Sequence, residues 1–196
     1  MNRSGGRRKR AGNDIVSTRT ARIGALADGV PPSSPGWRVG IGNDLHRLAA
    51  GRKLILGGVR IPHDHGPIGH SDGDALAHAI CDALLGAARL GDIGRHFPNT
   101  SPQWKDASSL LFLRHVRQLL DSAGCSIVNI DATVGMERPR LAPHILRMEK
   151  KVAAALALKP GQVSVKAKTG EGLDAIGRGE AVRADAVALI QTCSSA

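Results

Sequence analysis

The chain has 196 residues, 42% hydrophobic and 22% charged, the balance of one globular domain with a real core rather than a disordered or fibrous chain. No apolar run approaches the ~18 residues of a membrane span, and Cys81, Cys125 and Cys193 have neither the spacing of a disulfide framework nor a CxxC metal pair, which points to a reducing compartment. The formal net charge of +10 raises nucleic acid as a partner, but residues 1–38 carry eight Lys/Arg against two Asp, so +6 lies there and only +4 on the rest, and aromatics for base stacking are 2% of the chain.

Residues 1–36 are rich in Gly, Ser, Pro and Arg and show no sustained periodicity. They are expected to lie outside the fold, as a solvated tail, an Arg-rich transit peptide or a basic arm for nucleic acid. The folded domain is expected over 37–193. "WRVGIGNDLHRL" alternates and predicts a strand. "KLILGGVRI" gives two short apolar runs around Gly57-Gly58, a strand pair or a bulged strand, and "PHDHGPIGH" reads as a loop. Ser71 followed by Asp74 resembles a capping box for a helix running to about Leu90. "GDIGRHFPNTSPQW" reads as a loop, "DASSLLFLRHVRQLLDSAG" as a helix stopped by Gly124, and "CSIVNIDATVGM" as a strand. "RPRLAPHILRMEKKVAAALAL" is a Pro-punctuated entry into a third helix. "GQVSVKAKT" is an alternating strand, "GEGLDAIGRGE" a Gly-rich loop, and "AVRADAVALIQ" a closing strand. Intermixed strands and helices without a repeat predict a single α/β (α+β) domain with helices packed on a sheet.

Chemistry gathers at a few places. Asp44 and His46 lie two apart on a predicted strand, so both point to one face. His78 on the following helix would complete a three-ligand set of the open, catalytic zinc type; the alternative is a solvated or hydrogen-bonded Asp-His pair. Asp74, His78 and Asp82 follow at i, i+4 and i+8, a polar stripe on an apolar helix. Either the stripe faces solvent, or its groups are buried and paired, carboxylates orienting a ligating imidazole from behind. "KTGEGLDAIGRGE" sets Thr169, Glu171, Arg178 and Glu180 among glycines, a plain flexible loop or a phosphate cradle in which Glu171 suits Mg²⁺ or Mn²⁺. Arg138 and Arg140 between prolines are surface charges or diphosphate-binding groups. His63 and His65 flank Asp64 in what reads as an exposed loop, and His96, His115 and His144 are isolated.

In order, "GIGNDLH", "LGGVRIP", "GHSDGDALAHAICDALLGAARLGDIG", "HFPNT", "NIDATV", "RPRLAPHI", "VKAKTGEGL" and "GRGEAV" resemble the 2-C-methyl-D-erythritol 2,4-cyclodiphosphate synthase family over about Arg38–Ile190. The resemblance implies a homotrimer around a central axis, with active sites between subunits. It implies an enzyme of non-mevalonate isoprenoid synthesis acting on a cytidine diphosphate derivative, in a bacterial cytoplasm, or a plastid-type compartment if the extension is a transit peptide. It places Asp44, His46 and His78 on Zn²⁺ (or another divalent transition metal) and Glu171 on a second ion, Mg²⁺ or Mn²⁺. His70 and Thr169 match transition-state-stabilising positions. Ser71, Asp92, Ile93, Gly94, and the stretch Phe97, Pro98, Asn99, Thr100, Ser101 match substrate-contacting positions. Met136, Arg140, Leu141, Ala142 and Lys168 match the cytidine-phosphate pocket, which a neighbouring subunit completes, and Gly170, Ala175 and Arg178 match further substrate-binding positions. Asp72, Asp74 and Asp82 would stand behind the ligands or cap the helix. Arg178 and Glu180 also match residues near the trimer-axis cavity, where isoprenoid diphosphates bind in some members. Departures are Asn43 for an aromatic, Asn99 for an acid in the "FPDT" loop, Asp174 for Gly, Ala175 for an aromatic, and Arg140 for Lys.

Overall fold

Alternation along the first strand sets the layout of the molecule. The computed structural model describes residues 36–192; the expectations for the N-terminal extension and for Cys193 lie outside the described residues. Strand β1 (Gly36–Ala50) turns Gly40, Gly42, Asp44, His46 and Leu48 inward and Trp37, Val39, Ile41 and Leu45 outward. It lies second in a five-stranded sheet ordered β4 (His65–Pro67), β1, β7 (Ala181–Thr192), β5 (Cys125–Gly135), β6 (Val163–Lys168). The β5–β6 pairing is parallel and the others are antiparallel, with a register shift between Ile127 and Asn129 of β5. A separate hairpin joins β2 (Leu54–Leu56) to β3 (Val59–Ile61). Its turn residues Gly57 and Gly58 both have positive φ, 55° and 69°, as a two-residue hairpin turn of the primed kind demands.

Helix α1 (Ala75–Ala87) lies directly on β1 and β7. Small residues make this possible on both sides. The sheet offers Gly40, Gly42, Ala184, Ala186 and Ala188, and the helix offers Ala79, Ala83 and Ala87, all buried. A Cβ at Gly40 would stand 1.9 Å from the Ala83 carbonyl oxygen, so the helix backbone occupies the place of a side chain. Helices α3 (Ser109–Ser122) and α4 (Ile145–Ala155) continue the layer toward β5 and β6, burying Phe112, Leu113, Val116, Met148 and Val152. The mixed α/β single domain expected from the sequence is present.

Local differences have physical causes. Ser71 is not a helix cap. Asp74 caps α1 itself, its carboxylate accepting from Ala77 N–H, and the same carboxylate accepts from Gly57 N–H at 2.8 Å and Gly58 N–H at 2.6 Å. One buried acid thus ties the helix start to the hairpin turn. The helix ends at Ala87 rather than Leu90. The segment read as a loop before Gly69 contains β4, held by pairing with the end of β1. The two Gly-punctuated loops each contain a single helical turn, α2 (Ile93–His96) and α5 (Asp174–Gly177).

Candidate metal centre and active site

Three side chains from two elements meet at one point. The inward face of β1 carries Asp44 and His46, and α1 brings His78 over them. Asp44 Oδ2 lies 2.8 Å from His46 Nε2 and 2.8 Å from His78 Nδ1, and the two ring nitrogens are 3.4 Å apart. All three side chains are mostly buried, between 12% and 22% exposed. Closeness of α1 to β1, enforced by the glycines, is what brings the imidazole within reach.

The outer nitrogens of both imidazoles are already committed. His46 Nδ1–H donates to the Ile68 carbonyl at 2.8 Å, and His78 Nε2 is 2.8 Å from the buried Ser109 hydroxyl. The inner nitrogens therefore turn lone pairs toward the carboxylate. Three acceptors that close need a cation or a proton between them. A zinc-type ion fits this donor set: two imidazole nitrogens and a carboxylate oxygen, with a side left open to the cavity. Without metal, burial raises the Asp44 carboxyl, but the hydrogen bonds and charges of His46 and His78 outweigh it and hold the group well below the usual carboxylate range. The Asp44 hydrogen bond in turn raises His46 above its ordinary value against the opposing effect of burial. Among the described residues a second trio, His63, Asp64 and His65, also clusters, but its carboxylate, Asp64, is 79% exposed.

The centre forms part of the lining of a cavity of about 330 Å³. Of the residues expected around the substrate, His70, Ser71, Ile93, Gly94, Phe97, Asn99 and Asp82 line it. His70 Nε2–H donates to the Ser101 carbonyl at 3.1 Å, which holds the ring at the cavity wall. Asp92 caps α2 through Arg95 N–H, and Asp82 accepts from Ile93 N–H at 2.7 Å, so the two acids fix the loop that forms the wall. Pro98, Thr100 and Ser101 follow in the same segment but do not line the cavity. Asp74 is fully buried beneath it. The stripe Asp74-His78-Asp82 is therefore turned inward, each member paired. Sequence reasoning missed Ile68, Trp104, Ser109 and Phe112; the serine pair at the start of α3 gave no sign of which member turns inward.

The nucleotide-side residues lie elsewhere on the chain. Strand register runs Asp44, Ala184, Val134, Ala167 across the sheet, three strand spacings or roughly 14 Å. At that far edge Met136 N–H donates to the Lys168 carbonyl and Gly170 N–H to Glu137, bringing the two connections together. Thr169 donates to Glu171 at 2.5 Å, and Lys168, Glu171, Arg140, Ala142 and Arg178 are exposed. Met136 and Leu141 are buried at 3%, so what they present to a ligand is main chain. Ala175 is half-buried in α5, and Arg178 pairs with Glu180 at 3.1 Å. Asp174 has φ 52°, a left-handed conformation that explains why glycine suits this position. None of this set reaches the cavity beside Asp44 in the same chain. Asn43 points to the outer face, away from both sets.

A model of the YgbB family matches residues 37–191. The 2-C-methyl-D-erythritol 2,4-cyclodiphosphate synthase of Syntrophomonas wolfei is 56% identical over 154 residues, 79% of this chain and 98% of the relative. That of Dechloromonas aromatica is 56% identical over 155 residues, 79% and 97% of the two chains. Among solved structures, a 2C-methyl-D-erythritol-2,4-cyclodiphosphate synthase in its CDP-bound form aligns with a TM-score of 0.72 at 39% identity, covering 78% of this chain and 99% of the other. The bifunctional IspDF of Campylobacter jejuni aligns at 0.78 with 36% identity over 82% of this chain, which spans 43% of that longer protein.

Proposed function

The chain belongs to the YgbB family, and from that premise we propose how its geometry performs the reaction of a 2-C-methyl-D-erythritol 2,4-cyclodiphosphate synthase. The substrate is 4-diphosphocytidyl-2-C-methyl-D-erythritol 2-phosphate. An oxygen of its 2-phosphate attacks the β-phosphorus, the bond from that phosphorus to the bridging oxygen breaks, and CMP leaves with the bridging oxygen. No water is consumed, and the product is the 2,4-cyclodiphosphate. The nucleophile is an anion the substrate already carries, so the protein's task is positioning and charge neutralisation.

The observation that carries this reading is the meeting of Asp44, His46 and His78 beside a cavity. Those three residues would hold a zinc-type ion and Glu171 a magnesium-type ion, which when bound supply Lewis-acid polarisation and screening of the diphosphate. His70, fixed by the Ser101 carbonyl, directs its ring at the cavity where the reacting phosphates would lie. The loop held by Asp82 and Asp92 sets Ile93 and Gly94 at the cavity wall, beside the place proposed for the erythritol phosphate. Lys168 and Arg140 would receive the cytidine diphosphate end, and Thr169, bonded to Glu171, would stabilise the transition state.

We infer a homotrimer as the working form. The two residue sets stand three strands apart on one chain, so a full site needs a neighbour's set beside the cavity. An apolar outer face supports it: Trp37, Val39, Ile41 and Leu45 of β1 and Val187 of β7 are 44% to 73% exposed on one side of the sheet. Incubation of the purified protein with substrate, Zn²⁺ and Mg²⁺ is expected to release CMP one-to-one with cyclic product. Release no greater than that of a His78→Ala control would defeat the proposal.

A further inference from the structure

His78 is held from behind by a group that the reaction itself does not use. Its Nε2 lies 2.8 Å from Ser109 Oγ and 3.2 Å from Ser71 Oγ. Ser109 is wholly buried. Its hydroxyl makes a very close hydrogen bond to Asp72 Oδ1, and its N–H donates to Asp72 Oδ2 at 3.0 Å. A carboxylate only accepts, so the single hydroxyl proton of Ser109 goes to Asp72 and lone pairs remain facing the imidazole. The hydrogen between them then belongs to His78 Nε2. Phe112, one turn further along α3, stacks on the same ring with centroids 6.0 Å apart and planes 19° from parallel. The start of α3 therefore fixes both the edge and the face of the imidazole.

We propose that Ser109, with Asp72 behind it, is a positioning residue that locks His78 in its Nε2–H tautomer and so keeps the Nδ1 lone pair aimed at the point shared with Asp44 and His46. This rests on the reading of that trio as a metal centre. A neutral imidazole otherwise places its hydrogen on either nitrogen, and the Nδ1–H form presents a donor where a ligand is needed. Ser71 is a poor substitute: its oxygen is farther from the ring and already faces Gly73 N–H at 3.4 Å.

Two measurements on the full chain test it. Nitrogen NMR at alkaline pH of the metal-free Asp44→Ala protein, which lacks the carboxylate 2.8 Å from Nδ1 that competes for the ring hydrogen, is expected to show His78 as the Nε2–H tautomer, and as a mixture once Ser109→Ala is added. Zinc competition against a chromogenic chelator is expected to show one tight site in the wild type, its loss in His78→Ala, and 10- to 100-fold weaker binding in Ser109→Ala. If loss of the hydroxyl unfolds the chain, Asp72→Asn, which keeps the volume but removes the charge holding the hydroxyl, is expected to weaken zinc several-fold. Absence of a tight site in the wild type would overturn the metal reading itself. A tight wild-type site left within twofold by the folded variants, with an unchanged tautomer, would overturn the role of Ser109 alone.

Discussion

Gly42→Ala converts the closeness of α1 and β1 into a number. An ideal Cβ at this position stands 2.1 Å from the Ala79 carbonyl oxygen and 2.6 Å from Ala83 N. Both are helix backbone atoms and cannot rotate aside. Ordinary contact begins near 3.4 Å, so α1 must withdraw by about 1.3 Å (3.4 − 2.1) along that direction. Crowding of this kind costs about 1–3 kcal/mol in a close-packed core. The centre suffers as well, because His78 precedes Ala79 on the helix and Asp44 follows Gly42 by two residues on the strand. Its atoms stand only 2.8 to 3.4 Å apart, so a shift of this size separates them substantially. A misplacement of about 1 Å costs on the order of 100-fold in rate. Urea unfolding is expected to show the stability loss, and CMP release at saturating metal the rate loss. Gly36→Ala is the control, since nothing lies within 4 Å of its Cβ position. A Gly42→Ala protein within about 0.5 kcal/mol of wild type and equally active would show that the helix does not rest on this glycine, as such a change is within the noise of neutral substitutions.

Asp74→Ala leaves the Gly57 and Gly58 N–H groups without their acceptor and uncaps α1; at ~1–3 kcal/mol per orphaned donor and ~1 for the cap, urea melts should record a loss of about 3–7 kcal/mol. In the metal-free chain, Asp44 titrates below the usual range, so its contribution is present above about pH 4 and lost as pH falls further; His46 titrates above 6.5, so its contribution is present below 6.5 and lost as pH rises through the folded value. Zinc needs the unprotonated ring, so the gain in melting temperature on adding zinc should widen from pH 6 to pH 8, as measured by calorimetry. Ile41, 73% exposed on the outer face, becomes a buried charge if three sheets surround an axis; Ile41→Glu is expected to give single chains by native mass with unchanged melting of the monomer fold.

Spacing made two parts of the centre legible, since residues two apart on a strand share a face and four-residue steps on a helix share a stripe, while the meeting of Asp44 and His46 with His78 was implied by the family resemblance rather than by spacing. The inward turn of that stripe was left open by periodicity, since a polar row reads alike whether it meets water or a partner. The structure resolves it through Asp82 and Ile93 N–H, and Asp74 and the hairpin turn. Strand β4 was illegible because "HGP" has no strand propensity and is held only by pairing with Leu48–Ala50. The turns α2 and α5 are too short for periodicity and depend on Asp92 and Asp174 accepting nearby N–H groups. Ser109 was invisible because its partners, Asp72 and His78, stand 37 and 31 residues away.

Anomalous scattering at the zinc edge, from crystals of the zinc-loaded protein, tests the centre most directly. A strong peak is expected about 2.0–2.2 Å from Asp44 Oδ2, His46 Nε2 and His78 Nδ1, with one coordination position facing the cavity. A peak at His63 and His65 with none beside Asp44 would contradict it.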